Sequence, residues 1–151
     1  MRTFQELIEI YGKKIVVKRK TIISQTDAVE KYIYWIHKGL VRMYTFDENH
    51  KEYTFDFVSE ENFTNAFESY KNQTPSKIVV ETVTDCELYR FGRKSFEEAL
   101  SDGADTIFNY INILENEFIR KQNREISHTM DSKYRQYCNK KKKNPELFKL
   151  V

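Results

Sequence analysis

Cysteine, glycine and proline are all scarce in these 151 residues, with 2, 4 and 2 copies. Cys86 and Cys138 lie too far apart for a CxxC metal or redox motif and are too few for a disulfide framework, so a reducing compartment is expected. The paucity of Gly and Pro excludes collagen-like repeats and low-complexity linkers. No apolar run approaches the ~18 to 20 residues of a membrane span, and Arg2, Glu6 and Glu9 interrupt the first ten positions, which rules out a signal peptide's apolar region. The chain is therefore expected to be cytoplasmic and without a membrane partner. An excess charge of one sign is missing too. The 25 Lys and Arg nearly balance 23 Asp and Glu, so the strong positive field of a dedicated nucleic-acid binder is absent. The exception is local: Lys140 to Lys143 form a run that suits either phosphate contact or a solvated helix end.

What is present is a 40% hydrophobic chain with 15% aromatic residues, enough for one globular domain and an appendage. Phe4, Leu7, Ile8 and Tyr11 recur at helical spacing behind Thr3, which can cap, and Gly12 ends this first helix. Strand-like segments follow at Ile15 to Val17, Thr21 to Ser24, Tyr32 to His37, Leu40 to Phe46 and Glu52 to Val58. The short turns His37-Lys38-Gly39 and Asp47-Glu48-Asn49-His50 predict antiparallel neighbours, in a meander or jelly roll. Alternation along Val41 to Phe46 and Tyr53 to Phe57 predicts an aromatic inner face, with Arg42, Thr45, Thr54 and Asp56 toward water. Ser59 to Ser76 breaks the alternation and reads as a helical turn and irregular loop, before strands at Lys77 to Val83 and Glu87 to Phe91.

Beyond Gly92 the period is helical. A short helix at Ser95 to Leu100 precedes a longer one capped by Asp105 and reaching about Thr129. Ile107, Tyr110, Ile111, Leu114 and Phe118 form its apolar stripe. The helix is longer than a small roll can cover, which predicts that part of it pairs with a second copy. A further helix is expected at Ser132 to Lys142, stopped by Asn144-Pro145.

This order of elements resembles the cyclic-nucleotide-binding domain of the Crp/Fnr family of transcription regulators. Two stretches carry the likeness. Tyr32-Ile33-Tyr34-Trp35-Ile36-His37-Lys38-Gly39-Leu40-Val41-Arg42 resembles the family's strand, glycine turn and strand, and Thr82-Val83-Thr84-Asp85-Cys86-Glu87-Leu88 resembles its late strand pair. Phe96 stands where the family opens the helix before the dimer helix. The resemblance spans roughly Phe4 to Thr129 and implies an α+β chain: an antiparallel β-roll or jelly roll with an N-terminal helix and a long C-terminal dimerisation helix. The expected divisions are a roll over 1–103, the dimer helix over 104–130 and a connector helix with tail over 131–151. It also implies a homodimer of regulatory function that touches DNA only through a winged helix-turn-helix, a module not found in this chain.

In the family, a Gly-Glu pair and, about ten residues later, an Arg followed by Ser or Thr hold the ribose and cyclic phosphate. By gapless count the Gly-Glu pair falls on Thr64 and Asn65, and the Arg and its neighbour on Ser76 and Lys77. Ser76 cannot supply a bidentate cation and Asn65 is neutral where a carboxylate is needed. Lys77 offers a point charge or merely faces solvent. The family's base contacts from the long helix fall near Lys121 and Gln122. A degenerate cassette of this kind predicts no classical cyclic AMP binding and no cofactor; the alternative is a working site for a cyclic nucleotide or another small effector.

Enzyme chemistry finds little footing. A cupin-type metal site needs two or three converging histidines, and His37, His50 and His128 show no His-x-His spacing. The N-terminal cysteine cluster of the family's iron-sulfur oxygen sensors is missing, the first cysteine being Cys86. Cys86 reads as structural, and Glu60-Glu61 as a hydrated loop.

Overall fold

The computed structural model describes residues 2–143, with side chains as far as 127. Helix α1 (Phe4–Tyr11) is closed by the expected Thr3 cap, which forms a reciprocal capping box with Glu6. Eight strands follow: β1 (Lys13–Val17), β2 (Ile22–Ser24), β3 (Tyr32–Lys38), β4 (Val41–Phe46), β5 (Glu52–Val58), β6 (Phe63–Thr64), β7 (Val79–Thr82) and β8 (Cys86–Gly92), with α2 (Phe67–Asn72) between β6 and β7. Helices α3 (Arg93–Leu100) and α4 (Ala104–Lys143) complete the described chain. All strand pairs are antiparallel, in two sheets of order β1-β8-β3-β6 and β2-β7-β4-β5. This is the jelly roll and not the meander.

The turn at His37-Lys38-Gly39 does not join paired neighbours: β3 and β4 lie in different sheets, as do β7 and β8. Among the described residues, only Asp47 to His50 closes a true hairpin, where the Asp47 carboxylate accepts from the amides of Asn49 and Lys51. Short turns serve both purposes, and the choice depends on which sheet has an open edge. Gly39 makes the first corner possible. Its φ is +114°, and a Cβ there would stand 2.5 Å from the Cys86 sulfur.

Two layers of core result. Between the sheets, Tyr34, Ile36, Val41, Val58, Val80, Cys86 and Leu88 pack together, mostly aliphatic. The aromatics instead gather on the other face of the β1-β8-β3-β6 sheet, where α1 and α3 cover it and each other. Phe63 meets Trp35 at 4.9 Å and Phe96 at 5.6 Å, and Phe4 meets Trp35 at 5.5 Å between ring centroids. Strand β3 is thus buried on both faces, which explains its unbroken Ile33-Tyr34-Trp35-Ile36 run.

The expected aromatic inner face of β5 is corrected accordingly. A bulge between Met43 and Tyr44 resets the register, so Asp56 is buried while Tyr53 and Phe57 are exposed. The segment Ser59 to Ser76 holds the expected helical turn as α2, and in place of part of the loop a short strand, β6, paired with β3. Asp105 lies in the first turn of α4, which begins at Ala104, two residues earlier than a cap at Asp105 implies. Helix α4 also runs unbroken where a second helix was expected from Ser132; Thr129 to Asp131 contain neither Gly nor Pro, and nothing in them stops a helix. The side chains of His128, Cys138 and Lys140 to Lys143, and the Asn144-Pro145 stop, lie outside the described residues. The chain divides into two compact units at Asn109/Tyr110.

Candidate functional site

A cavity of about 240 Å³ opens at one end of the roll. Its walls come from Ile23 and Ser24 of β2, the 25–31 loop, Tyr32 and Tyr34 of β3, Ala66 and Ser76. The loop is fastened to the 74–76 segment by the Asp27 amide donating to the Ser76 carbonyl and the Ser76 amide donating to the Ala28 carbonyl, both at 2.8 Å. Backbone thus satisfies backbone, and the cavity keeps its shape without regular secondary structure.

The organising side chain is Glu30, 7% exposed. Its Oε1 accepts from the Ser24 hydroxyl and from the Ala66 amide at 3.3 Å. The Glu30 amide donates to Ser69 Oγ at 2.8 Å, and the Ser69 hydroxyl donates in turn to the Thr74 carbonyl. One residue thereby ties β2, the 66–74 segment and the start of β3. Burial pushes the carboxyl above its ordinary range, against the pull of the Ser24 hydroxyl and the amides of Ala66, Lys31 and Tyr32. Tyr34, whose hydroxyl donates to the Ile23 carbonyl at 3.3 Å, is pushed up to about 12 by burial and by the neighbouring Glu30 charge.

The cassette positions fall around this cavity unevenly. Ser76 lines it, but its hydroxyl is spent locally, donating to the Ile78 carbonyl and accepting from the Ile78 amide. Thr64 is buried opposite Tyr34 in the β3–β6 pair, and among the described residues its hydroxyl finds no partner. Asn65 is also buried, with Nδ2 donating to the Tyr32 carbonyl at 3.0 Å. Lys77 is not in the cavity wall: its side chain is 81% exposed and meets the Glu68 carboxylate at 3.6 Å. Lys121 and Gln122 are exposed on α4, in the second unit.

Glu30 escaped the sequence reading. Between Val29 and Lys31 it looks like any turn carboxylate, and only the folding of Ser24 and Ala66 around it creates the burial. Glu60 also has a specific task, accepting from the Gly39 amide at 3.1 Å. His37 faces the Tyr89 ring and His50 sits exposed in the β4–β5 turn. Among the described residues, no three His, Cys, Asp or Glu side chains are grouped to hold a metal. Cys86 is buried, and burial pushes its thiol up, away from the reactive thiolate.

On α4, Ile107, Ile111, Leu114 and Phe118 follow steps of four, three and four, and are 45, 40, 45 and 64% exposed. Tyr110 beside them is half-buried. Ile111, Leu114, Phe118 and Ile119 line an almost wholly apolar concavity of about 350 Å³ with Glu115. Among the described residues, no helix is long and apolar enough to cross a membrane.

A jelly roll with a polar insertion before its last two strands, followed by a long helix, is the architecture of cyclic nucleotide-binding domains. The chain belongs to the cyclic nucleotide-binding domain family, which it matches over residues 13–102. Solved structures that share its fold include bacterial transcription regulators. The catabolite activator protein of Thermus thermophilus is similar with a TM-score of 0.65 and 15% identity, over 83% of this chain and 58% of that one. A transcriptional regulator of Thermotoga maritima aligns with a TM-score of 0.65 and 14% identity, over 85% of this chain and 99% of that one. The c-di-GMP-responsive global regulator CLP of Xanthomonas campestris gives 0.67 and 15%, over 82% and 62%. The chain thus spans about three fifths of the Thermus and Xanthomonas proteins. No curated protein matches it significantly in sequence.

Proposed function

We propose that this chain is the sensory and dimerisation portion of a Crp/Fnr-type transcription regulator, working in the cytoplasm as a homodimer and without catalysis. In this reading α4 pairs with a second copy, and DNA is read by a winged helix-turn-helix module, not by the roll. The supporting observation is the exposed seam of Ile107, Ile111, Leu114 and Phe118, whose 3.5-residue period is that of paired helices and whose apolar surface marks an interaction face. Leu114→Glu or Phe118→Glu places a charge in that seam and is expected to give a monomer in sedimentation velocity. A dimer that survives both changes would refute the assignment.

The roll's effector is not a classically bound cyclic nucleotide. A cyclic phosphate would need a cation inside the cavity, and the position aligned with the family's arginine is Ser76, already committed to Ile78. The second reading, a working cyclic-nucleotide site, draws on the family match over residues 13–102. Thermal shift separates the two: a ligand at 100 times its dissociation constant adds ~2.7 kcal/mol. Cyclic AMP and cyclic GMP are expected to give no shift.

A further inference from the structure

The cavity at the end of the roll carries the opposite sign from a phosphate site. Glu30 in its wall is more than nine-tenths buried, and every hydrogen bond its carboxylate accepts comes from a neutral donor. Among the described residues no Lys or Arg forms an ion pair with it. Lys31 also borders the cavity but is exposed and forms no ion pair with Glu30, and the Arg90 guanidinium stacks on the Tyr32 ring at 4.4 Å. We infer that this cavity binds a small organic cation, a protonated amine, with the Glu30 carboxylate as its counter-ion.

The inference rests on the sensory reading above and gives its effector a chemical class. A buried carboxylate is costly unless paired, and removing the cost by supplying a positive ligand is favourable in a way that no neutral or anionic ligand can match. Burial raises the Glu30 carboxyl, and a cation placed beside it acts in the opposite direction, favouring the ionised form. The remaining wall suits an amine with an apolar body. Ile23, Val29 and Ala66 are aliphatic, and the Tyr34 ring adds an aromatic surface. The volume of about 240 Å³ lies below the ~300 Å³ of the smallest usual ligand pockets, which selects a molecule smaller than a nucleotide.

The test is isothermal titration of the whole chain near neutral pH with three probes of one shape: benzylamine, benzyl alcohol and benzoate. Benzylamine is expected to bind about tenfold or more tighter than the alcohol, the scale of one charge-assisted hydrogen bond, with benzoate weakest. Glu30→Gln keeps an oxygen to accept from Ser24 and removes the charge; it is expected to abolish the preference for benzylamine over the alcohol. Circular dichroism checks that the variant is folded, and if it is not, the wild-type series decides alone. Equal affinity for benzylamine and benzyl alcohol, a preference for benzylamine that persists in Glu30→Gln, or no heat from benzylamine would each overturn the cation assignment. Tight binding of benzoate or cyclic AMP instead would overturn it while leaving the sensory reading intact. Silence from all four on a confirmed dimer would remove both.

Discussion

Gly39 stands at the corner where the chain leaves one sheet for the other, and its neighbours leave no space for a side chain. At φ +114°, a methyl group would meet the Cys86 sulfur at 2.5 Å and the Asp85 carbonyl oxygen at 2.8 Å. Gly39→Ala is therefore expected to cost about 1–3 kcal/mol from the backbone alone, with more from the clash. Urea denaturation would show this as a lower midpoint at unchanged slope. Glu30 makes the second prediction at this scale. Its folded pKa is raised, while the unfolded carboxyl ionises near its ordinary 4.5. Between those two values the folded state holds more protons than the unfolded one, so stability is full below about 4.5 and falls as pH rises through the folded pKa. Glu30→Gln abolishes this contribution. The variant is expected to gain on the wild type in melting temperature as pH increases through that window. Tyr34, pushed up to about 12, stays protonated there and does not interfere. Parallel melting curves for the two proteins would show that Glu30 is not desolvated as described.

At the scale of elements, the aromatic cluster decides how α1 and α3 are held. Phe96, 7% exposed, touches Phe63 at 5.6 Å and Phe91 at 5.8 Å between ring centroids. Phe96→Ala is expected to cost about 3–5 kcal/mol, since the rigid strands beneath cannot collapse into the space. A loss below about 1 kcal/mol in guanidinium denaturation would mean that α3 packs by other contacts. The same cluster explains a limit of sequence reading. Alternation along a strand tells which residues share a face, but not which face is covered, and β3 is covered on both. The two-residue β6 gives no periodic signal at all, and Phe63 becomes legible only when Trp35 is seen beside it. Along β5 a single extra residue inverts which side chains turn inward, burying Asp56 and exposing Phe57.

At the scale of the whole molecule, the proposed dimer makes stability depend on concentration. If α4 pairs through Leu114 and Phe118, melting temperature rises with protein concentration in the wild type, and Leu114→Glu or Phe118→Glu removes that dependence. Concentration-independent melting of the wild type at the concentrations where it sediments as a dimer would contradict a coupled seam. A sensing domain of this build transmits a signal only if its ligand distinguishes two states of the pair. Titrating benzylamine against the sedimentation boundary reads that coupling directly.

Strand composition, the Thr3 cap and the spacing of Ile107 to Phe118 were enough to determine an antiparallel roll between a short helix and a long one. These are local properties, decided by backbone preference and by the period of apolar residues. The count that sets Ser76 where the family carries arginine is likewise a reading of residue type along the chain. Tertiary structure alone decided which sheet each strand joins, where the bulge falls, and that Glu30 is sealed among Ser24, Ala66 and Tyr34. Burial of a charge is set by residues distant along the chain, and no local pattern records it.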